Sequence, residues 1–220
     1  MIVSALRPDP RLAGCVIVEI DGDRVASLPV EVVKELGLAS GEELAPARYE
    51  ALMAAARVDA ARRVALRMLG IRPQAVGELA RKLRDRNHEP QAVKAALERL
   101  EAVGLLNDAD FARHFARVRA PKGHGPSRLV HDLLARGVAR VVAEEAVAEV
   151  SVAESFDPES AARTLAEKRV TALRSLPLPA RRRRVLAYLA RRGFRSREVR
   201  EMVETLIKSG GEMGKGKRGK

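Results

Sequence analysis

Between Asp108 and Val138 the apolar positions fall at helical spacing. Phe111, Phe115 and Val118 share one helix face, and Leu129 and Leu133 share another. Asp108 is read as the N-cap of the first helix, where its carboxylate accepts amides of the first turn. Ala120-Pro121 ends that helix, because proline disfavours helical backbone at the residue before it. Lys122-Gly-His-Gly-Pro126 then forms a stiff loop, Ser127 restarts the chain as a second helix, and Gly137 closes it as a left-handed cap. Val138 to Val150 reads as a third helix, which makes the unit a three-helix module.

The same pattern recurs on both sides. Leu129 and Leu133 precede Gly137 by eight and four positions, and Val147 and Val150 follow it by ten and thirteen. Gly193 has Val185 and Leu189 before it, and Val203 and Leu206 after it. Asn87 has Leu79 and Leu83 before it, and Leu97 and Leu100 after it. Asparagine tolerates the left-handed conformation, so Asn87 fits the role of Gly137 and Gly193. The origins lie 50 residues (137 − 87) and 56 residues (193 − 137) apart, and the extra six are assigned to a longer loop at Leu176-Pro-Leu-Pro179. A module of about 50 residues has a small core, so stacking of neighbours into an elongated array is expected. Leu106-Asn107 and Ser151–Asp157 read as linkers, with Asp157 as a cap and Pro158 in the first helical turn.

Ahead of the repeats the periodicity changes to two. Val16, Val18 and Ile20 alternate, and Asp21-Gly22-Asp23 separates Cys15–Ile20 from Arg24–Ser27 as the turn of a β-hairpin. A short helix follows from about Pro29 to Leu36, closed by Gly37, and a long helix starts near Pro46. A lone hairpin is marginal in water, so this segment is expected to dock on the helices behind it. The resulting division is residues 1–58 as a β-hairpin and helix segment, 59–107, 108–150 and 157–207 as three-helix modules 1 to 3, and 208–220 as a disordered basic tail. From Ser209 the tail holds five glycines among lysines, which offers no apolar area to bury. The fold class is mainly α, with tandem three-helix modules and a small N-terminal β-hairpin and helix segment.

Composition adds the question of partners. The formal net charge is +12; the first 58 residues hold 6 Lys+Arg against 9 Asp+Glu, so the rest carries +15. Such a balance points to a polyanionic partner. Cys15 is the one cysteine, which excludes a disulfide framework and fits a reducing cytoplasm. No apolar run approaches the roughly 20 residues of a membrane span, and no signal peptide is evident. A cytoplasmic monomer without a membrane partner is expected.

Candidate chemistry is sparse. Gly123-His-Gly125 lacks the GxxxxGK spacing of a phosphate loop. His88, His114, His124 and His131 show no metal-ligand spacing, although His124 and His131 could approach one another. Asp108 and Asp110 read as first-turn charges that complement the helix dipole. No catalytic residue, cofactor or metal site is assigned. Basic residues are the positive signal. Nine arginines against one acid, Glu198, occupy residues 181–200. The candidate interface comprises Arg81, Lys82, Arg84 and Arg86 in module 1, and Arg113, Arg117, Arg119, Lys122 and Arg128 in module 2. In module 3 it comprises Arg181, Arg182, Arg183, Arg184, Arg191, Arg192 and Arg195. The planar arginine fork pairs with phosphate and carboxylate alike.

These stretches carry a family resemblance. ALRMLGIRPQAVGELARKL (65–83), GLLNDADFARHFARVRAPKGHGPSRLVHDLLARGV (104–138) and the basic third module resemble the RecX family of recombinase regulators. The matching positions are Glu78-Leu79 and Lys82-Leu83; Asn107-Asp108 before Phe111-Ala112; and Arg119, Gly123-His-Gly-Pro126 and Leu133 with Arg136-Gly-Val138. The resemblance covers roughly residues 45–207, and the hairpin segment is similar to that of longer family members. Asn107 stands for the first residue of an acidic pair, Asn87-His88 for a Gly-aromatic pair, and Gly77 for a serine or threonine; all three touch turns and caps.

The resemblance implies a non-enzymatic protein that binds the RecA recombinase in the groove of the RecA–DNA filament. It further implies inhibition of the RecA ATPase and of strand exchange, with single- or double-stranded DNA as a further partner, and so a role in DNA repair, recombination and the SOS response. The alternative from the residues alone is a helix-turn-helix DNA-binding regulator, although Val141-Val142-Ala143 supplies no base-reading side chain to a recognition helix.

Overall fold

The structure, a computed structural model, describes residues 1–212. It divides into two compact units, Met1–Asn107 and the chain from Asp108 onward.

The first unit opens with an antiparallel sheet of three strands in sequence order: β1 (Val3–Pro8), β2 (Cys15–Ile20) and β3 (Asp23–Pro29). The expected hairpin is β2–β3. Its turn places Asp21 and Gly22 at φ 51° and 92°, the two positive dihedrals that a twist-matched tight turn requires. Strand β1 is an addition to the sequence reading. Its ladder is irregular between Val3 and Ala5, so the apolar residues Val3 and Leu6 never establish a period of two. The buried Asp9 carboxylate anchors the β1–β2 connection to β3: it accepts from the Arg11 amide (2.8 Å), the Arg24 guanidinium (2.8 Å) and the Ser27 hydroxyl (2.7 Å). The sheet core is Val3, Val18, Ile20, Ala26 and Leu28, closed by Val33 of helix α1 (Val30–Glu35) and by Leu44 and Leu52.

Leu52 belongs to α2 (Pro46–Ile71), which passes through the expected boundary at 58/59 without a break. No glycine or proline interrupts residues 47–69, so nothing there stops an Ala- and Arg-rich helix. Residue Leu52 is in the sheet core, and Ala65 is in the core of module 1 with Leu79, Leu83, Val93, Leu97, Leu100 and Leu106. The sheet and module 1 thus share one helix. Module 1 is completed by α3 (Val76–Arg84) and α4 (Pro90–Ala102). Leu106, expected in a linker, is 5% exposed and part of that core.

The second unit contains α5 (Asp108–Arg119), α6 (Pro126–Leu134) and α7 (Arg140–Ala153), followed by α8 (Pro158–Ala172), α9 (Leu178–Arg192) and α10 (Arg197–Glu212). A single 3-10 turn, Ala120–Lys122, bridges α5 toward α6. Asp108 is the first residue of α5, and α6 starts at Pro126, one residue before Ser127. Asp157 caps α8 as expected, accepting the Glu159 amide at 2.9 Å.

The three modules close their middle helices in the same way. The amides of His88, Val138 and Phe194 donate to the carbonyls of Leu83, Leu133 and Leu189 at 3.2, 3.2 and 3.0 Å. This six-to-one bond needs a left-handed residue just before it, and Asn87, Gly137 and Gly193 supply φ of 63°, 86° and 93°. Leu79 and Leu83, Leu129 and Leu133, and Val185 and Leu189 are all buried in the same register.

Three details of the periodicity reading change. Val118 is 40% exposed, and the buried face of α5 is Ala112, Phe115 and Ala116. In module 3 the second buried position after the cap is Ile207, with Leu206 only half-buried. The extra length of module 3 is helical rather than a longer loop: α8 and α9 have 15 residues each, where α5 and α6 have 12 and 9. Pro179 lies in the first turn of α9, where a missing amide is harmless. Helix α10 also extends past the expected end at 207, and so into the expected tail, as far as Glu212. Thr205 and Ser209 turn their hydroxyls back onto the carbonyls of Glu201 and Thr205 instead of breaking the helix. The remainder of the expected tail, 213–220, lies outside the described residues.

Candidate basic interface

The candidate cations fall into two groups once their partners are visible. In module 1, Lys82 sits one turn from the buried carboxylate of Glu78 and donates to it at 2.6 Å, and also to the Gln74 side-chain oxygen. Arg72 donates to the same Glu78 oxygen. Burial alone would raise the Glu78 pKa, but the bonds from Lys82 and Arg72 outweigh it and hold it below its ordinary 4.5. Lys82 is therefore an internal counter-charge. Arg81, Arg84 and Arg86 are exposed; of these Arg86 donates to the Lys82 carbonyl at 3.1 Å.

In module 2 most of the candidates secure the module itself. Arg113 bridges Asp110 (2.7 Å) to Glu149 (3.2 Å) and Arg117 pairs with Glu154 (2.9 Å), so α5 is fastened to α7 and its end. Arg119 lies over the Phe115 ring at 4.6 Å, and Arg136, not a sequence candidate, lies over it at 4.7 Å. Such contacts hold a guanidinium against an aromatic face. Arg128 pairs with Asp132 at 2.9 Å, and Lys122 is exposed.

Module 3 holds the largest correction. Arg181, grouped in the sequence with the exposed run, is 8% exposed. Its guanidinium donates to the carbonyls of Arg174 (2.7 Å) and Leu176 (3.2 Å), which closes the segment between α8 and α9. A helical run of four arginines cannot present all four outward, because successive side chains turn by about 100°. Arg182 pairs with Glu204. Arg183, Arg184 and Arg191 are exposed, and their side chains have no hydrogen bond or ion pair to any described residue.

Arg192 and Arg195 lead to a feature that the sequence did not reveal. The Gly125 amide donates to the Arg192 carbonyl at 2.7 Å, and Arg192 Nη1 donates back to the Lys122 carbonyl at 3.1 Å. The backbones of the 122–125 loop and the α9–α10 turn are in direct contact. A Cβ on Gly125 would lie 2.7 Å from the Gly193 carbonyl, and one on Gly193 would strike the Arg128 amide nitrogen. Both glycines are required by this approach, and Gly193 by its φ as well. Modules 2 and 3 are thereby fastened by main chain. Around the contact lie Arg128, Arg191 and Arg195, with Arg195 Nε on the Ala190 carbonyl at 3.2 Å. His124 is half-buried beside them, its Nδ1 without a hydrogen bond and 3.9 Å from Asp132. Burial first, and then Arg119, lower its pKa below the usual 6.5, against the pull of Asp132; Arg192 and Arg128 add to the lowering.

Among the described residues no group of three or more His, Cys, Asp or Glu could hold a metal ion. No described helix is long and apolar enough to cross a membrane.

Comparison with known proteins follows the module pattern. Family models described as the first, second and third three-helix domains of RecX match residues 61–100, 107–147 and 157–203. The regulatory protein RecX of Halorhodospira halophila is 39% identical over 150 residues, covering 67% of this chain and 88% of that one. The regulatory protein RecX of Pelodictyon phaeoclathratiforme is 28% identical over 149 residues, covering 67% and 89%. Two solved structures share the fold. The crystal structure of a regulatory protein RecX superposes with a TM-score of 0.76 at 21% identity, covering 93% of this chain and 98% of that one. That of RecX from Lactobacillus salivarius has a TM-score of 0.58 at 20% identity, covering 71% and 97%. With three modules matched in order and a relative aligned over most of its length, the chain belongs to the RecX family of regulatory proteins.

Proposed function

We propose that this protein regulates the RecA recombinase by binding the RecA–DNA filament along its groove, where it slows ATP hydrolysis and strand exchange without chemistry of its own. The observation that carries the reading is family membership, seen in three consecutive modules. The structure supports it through the exposed, unpartnered arginines on modules 1 and 3, which suit a helical assembly rich in phosphate and carboxylate. Linked modules make each later contact effectively intramolecular, so weak contacts suffice to hold several filament subunits in one state. The helix-turn-helix alternative gains nothing from the first turn of α7, where Arg140 pairs with Glu144 at 3.1 Å and Val141 is apolar.

The test adds the protein to RecA filaments preformed on single-stranded DNA and follows ATP hydrolysis. Slower turnover at substoichiometric amounts is expected. Unchanged turnover at a one-to-one ratio of protein to RecA removes the proposal. Deleting residues 158–220 separates a bridging mode from a local one: bridging predicts a loss of inhibition far larger than one module's share.

A further inference from the structure

The contact of Gly125 with Gly193 does more than fix two modules. It brings the first turn of α6 against the last turn of α9, and the seam between them holds two adjacent clefts. One, of about 350 Å³, is lined by Ser127, Arg128 and His131 on the α6 side and by Arg191 and Arg195 on the other. The second, of about 360 Å³, is lined by His124, Arg128, Tyr188, Arg191 and Arg192. Arg128 and Arg191 line both. No carboxylate lines either cleft, although Asp132 pairs with Arg128 at 2.9 Å and lies 3.9 Å from His124. Arg191 has no partner among the described residues, and Arg195 engages only Nε, which leaves its terminal nitrogens to face a ligand.

We infer that this seam is a composite phosphate-binding site for the backbone of a nucleic acid strand, assembled only when modules 2 and 3 are locked together through Gly125 and Gly193. The inference rests on the reading of the protein as a regulator of a DNA-bound filament and names the DNA backbone as one of its contacts. The lining is a set of donors (guanidinium, hydroxyl and imidazole), which suits an anion of either kind, phosphate or carboxylate. Two further features favour a phosphodiester over an acidic protein segment. Apart from the Tyr188 ring, which Arg169 and Arg192 already flank at 5.5 Å each, neither cleft offers a large apolar side chain to anchor a peptide. Two clefts of similar size in succession suit a polymer that repeats its charge at a fixed interval.

The experiment measures the anisotropy of a fluorescent oligothymidylate of about 20 nucleotides titrated with the full chain, without recombinase, across a salt series. Arg191→Ala removes an exposed group without a partner, so the fold should persist. It is expected to weaken binding roughly tenfold and to lower the salt slope by about one. Arg197→Ala, an exposed arginine of α10 that lines neither cleft, is expected to change affinity less than twofold. Gly125→Ala keeps every charge but separates the two walls, and should weaken binding as much as Arg191→Ala. Circular dichroism verifies that this variant is folded. If it is not, the pair Arg128→Ala and Arg191→Ala replaces it: losses that are less than additive show that both walls hold the same group, and additive losses overturn the composite site. Equal effects of Arg191→Ala and Arg197→Ala would reduce the binding to diffuse charge and overturn the inference. Competition by polyglutamate as effective as by oligothymidylate of equal charge would reassign the seam to an acidic protein. Because the assay holds no recombinase, failure here leaves inhibition of ATP hydrolysis to stand or fall by its own test.

Discussion

Helices α3 and α9 occupy the same place in modules 1 and 3, end on the same six-to-one bond, and bury the same two positions before it. They use their cations differently. In α3 a buried acceptor, Glu78, lies one turn before Lys82 and draws it inward. In α9 the residue drawn inward is Arg181, by carbonyls of the preceding connection, and Arg183, Arg184 and Arg191 are left to face solvent. The scaffold is thus indifferent to charge, and the acceptors beside each cation, a carboxylate one turn before Lys82 or carbonyls of the preceding connection at Arg181, decide which cations serve the fold and which are left for a partner.

The largest expected effect tests the shared half of that comparison. Leu83→Ala and Leu189→Ala each empty a fully buried site, and each should cost about 3 kcal/mol in denaturant unfolding. Losses differing by more than about 1.5 kcal/mol would show that the two cores are not equivalent. A smaller effect tests the divergent half. Arg181→Ala releases two carbonyls and should cost about 1–2 kcal/mol, whereas Arg183→Ala, two positions away, should stay within about 0.5 kcal/mol. Equal losses at the two positions would erase the distinction between inward and outward arginines.

The same distinction marks what could be read from the chain. The register of leucines and valines around Asn87, Gly137 and Gly193 was legible, since helical spacing and a left-handed residue leave a local imprint. Strand β1 left none, because its irregular ladder breaks the alternation. The direction of each arginine was not legible either: Arg181 and Arg183 differ only in what lies beside them in three dimensions. The sequence around Gly125 reads as a turn. The reason for that glycine is the main chain at Gly193, 68 residues away (193 − 125), and no local pattern encodes such an approach.

The smallest effect concerns pH, and it separates the two units by the group that titrates. Glu78 in module 1 has its folded pKa held below 4.5. Its contribution to stability is therefore present above 4.5 and is lost only as pH falls toward the folded value. His124, at the junction of modules 2 and 3, has its folded pKa below 6.5 for the opposite chemical reason: burial and neighbouring guanidiniums disfavour the imidazolium. Below 6.5 the unfolded chain takes the proton first, so stability falls with pH until the folded value is passed and then levels off. Because His124 is 24% exposed, water moderates the effect. The melting temperature of the wild type should fall slightly between about pH 7.5 and 5.5, and that of His124→Gln should fall less. Glu78→Gln should follow the wild-type trend across this window and depart from it only below about 4.5. If His124→Gln and the wild type fall in parallel, the imidazole is not held neutral, and the seam beside Arg128 and Arg192 accommodates another positive charge.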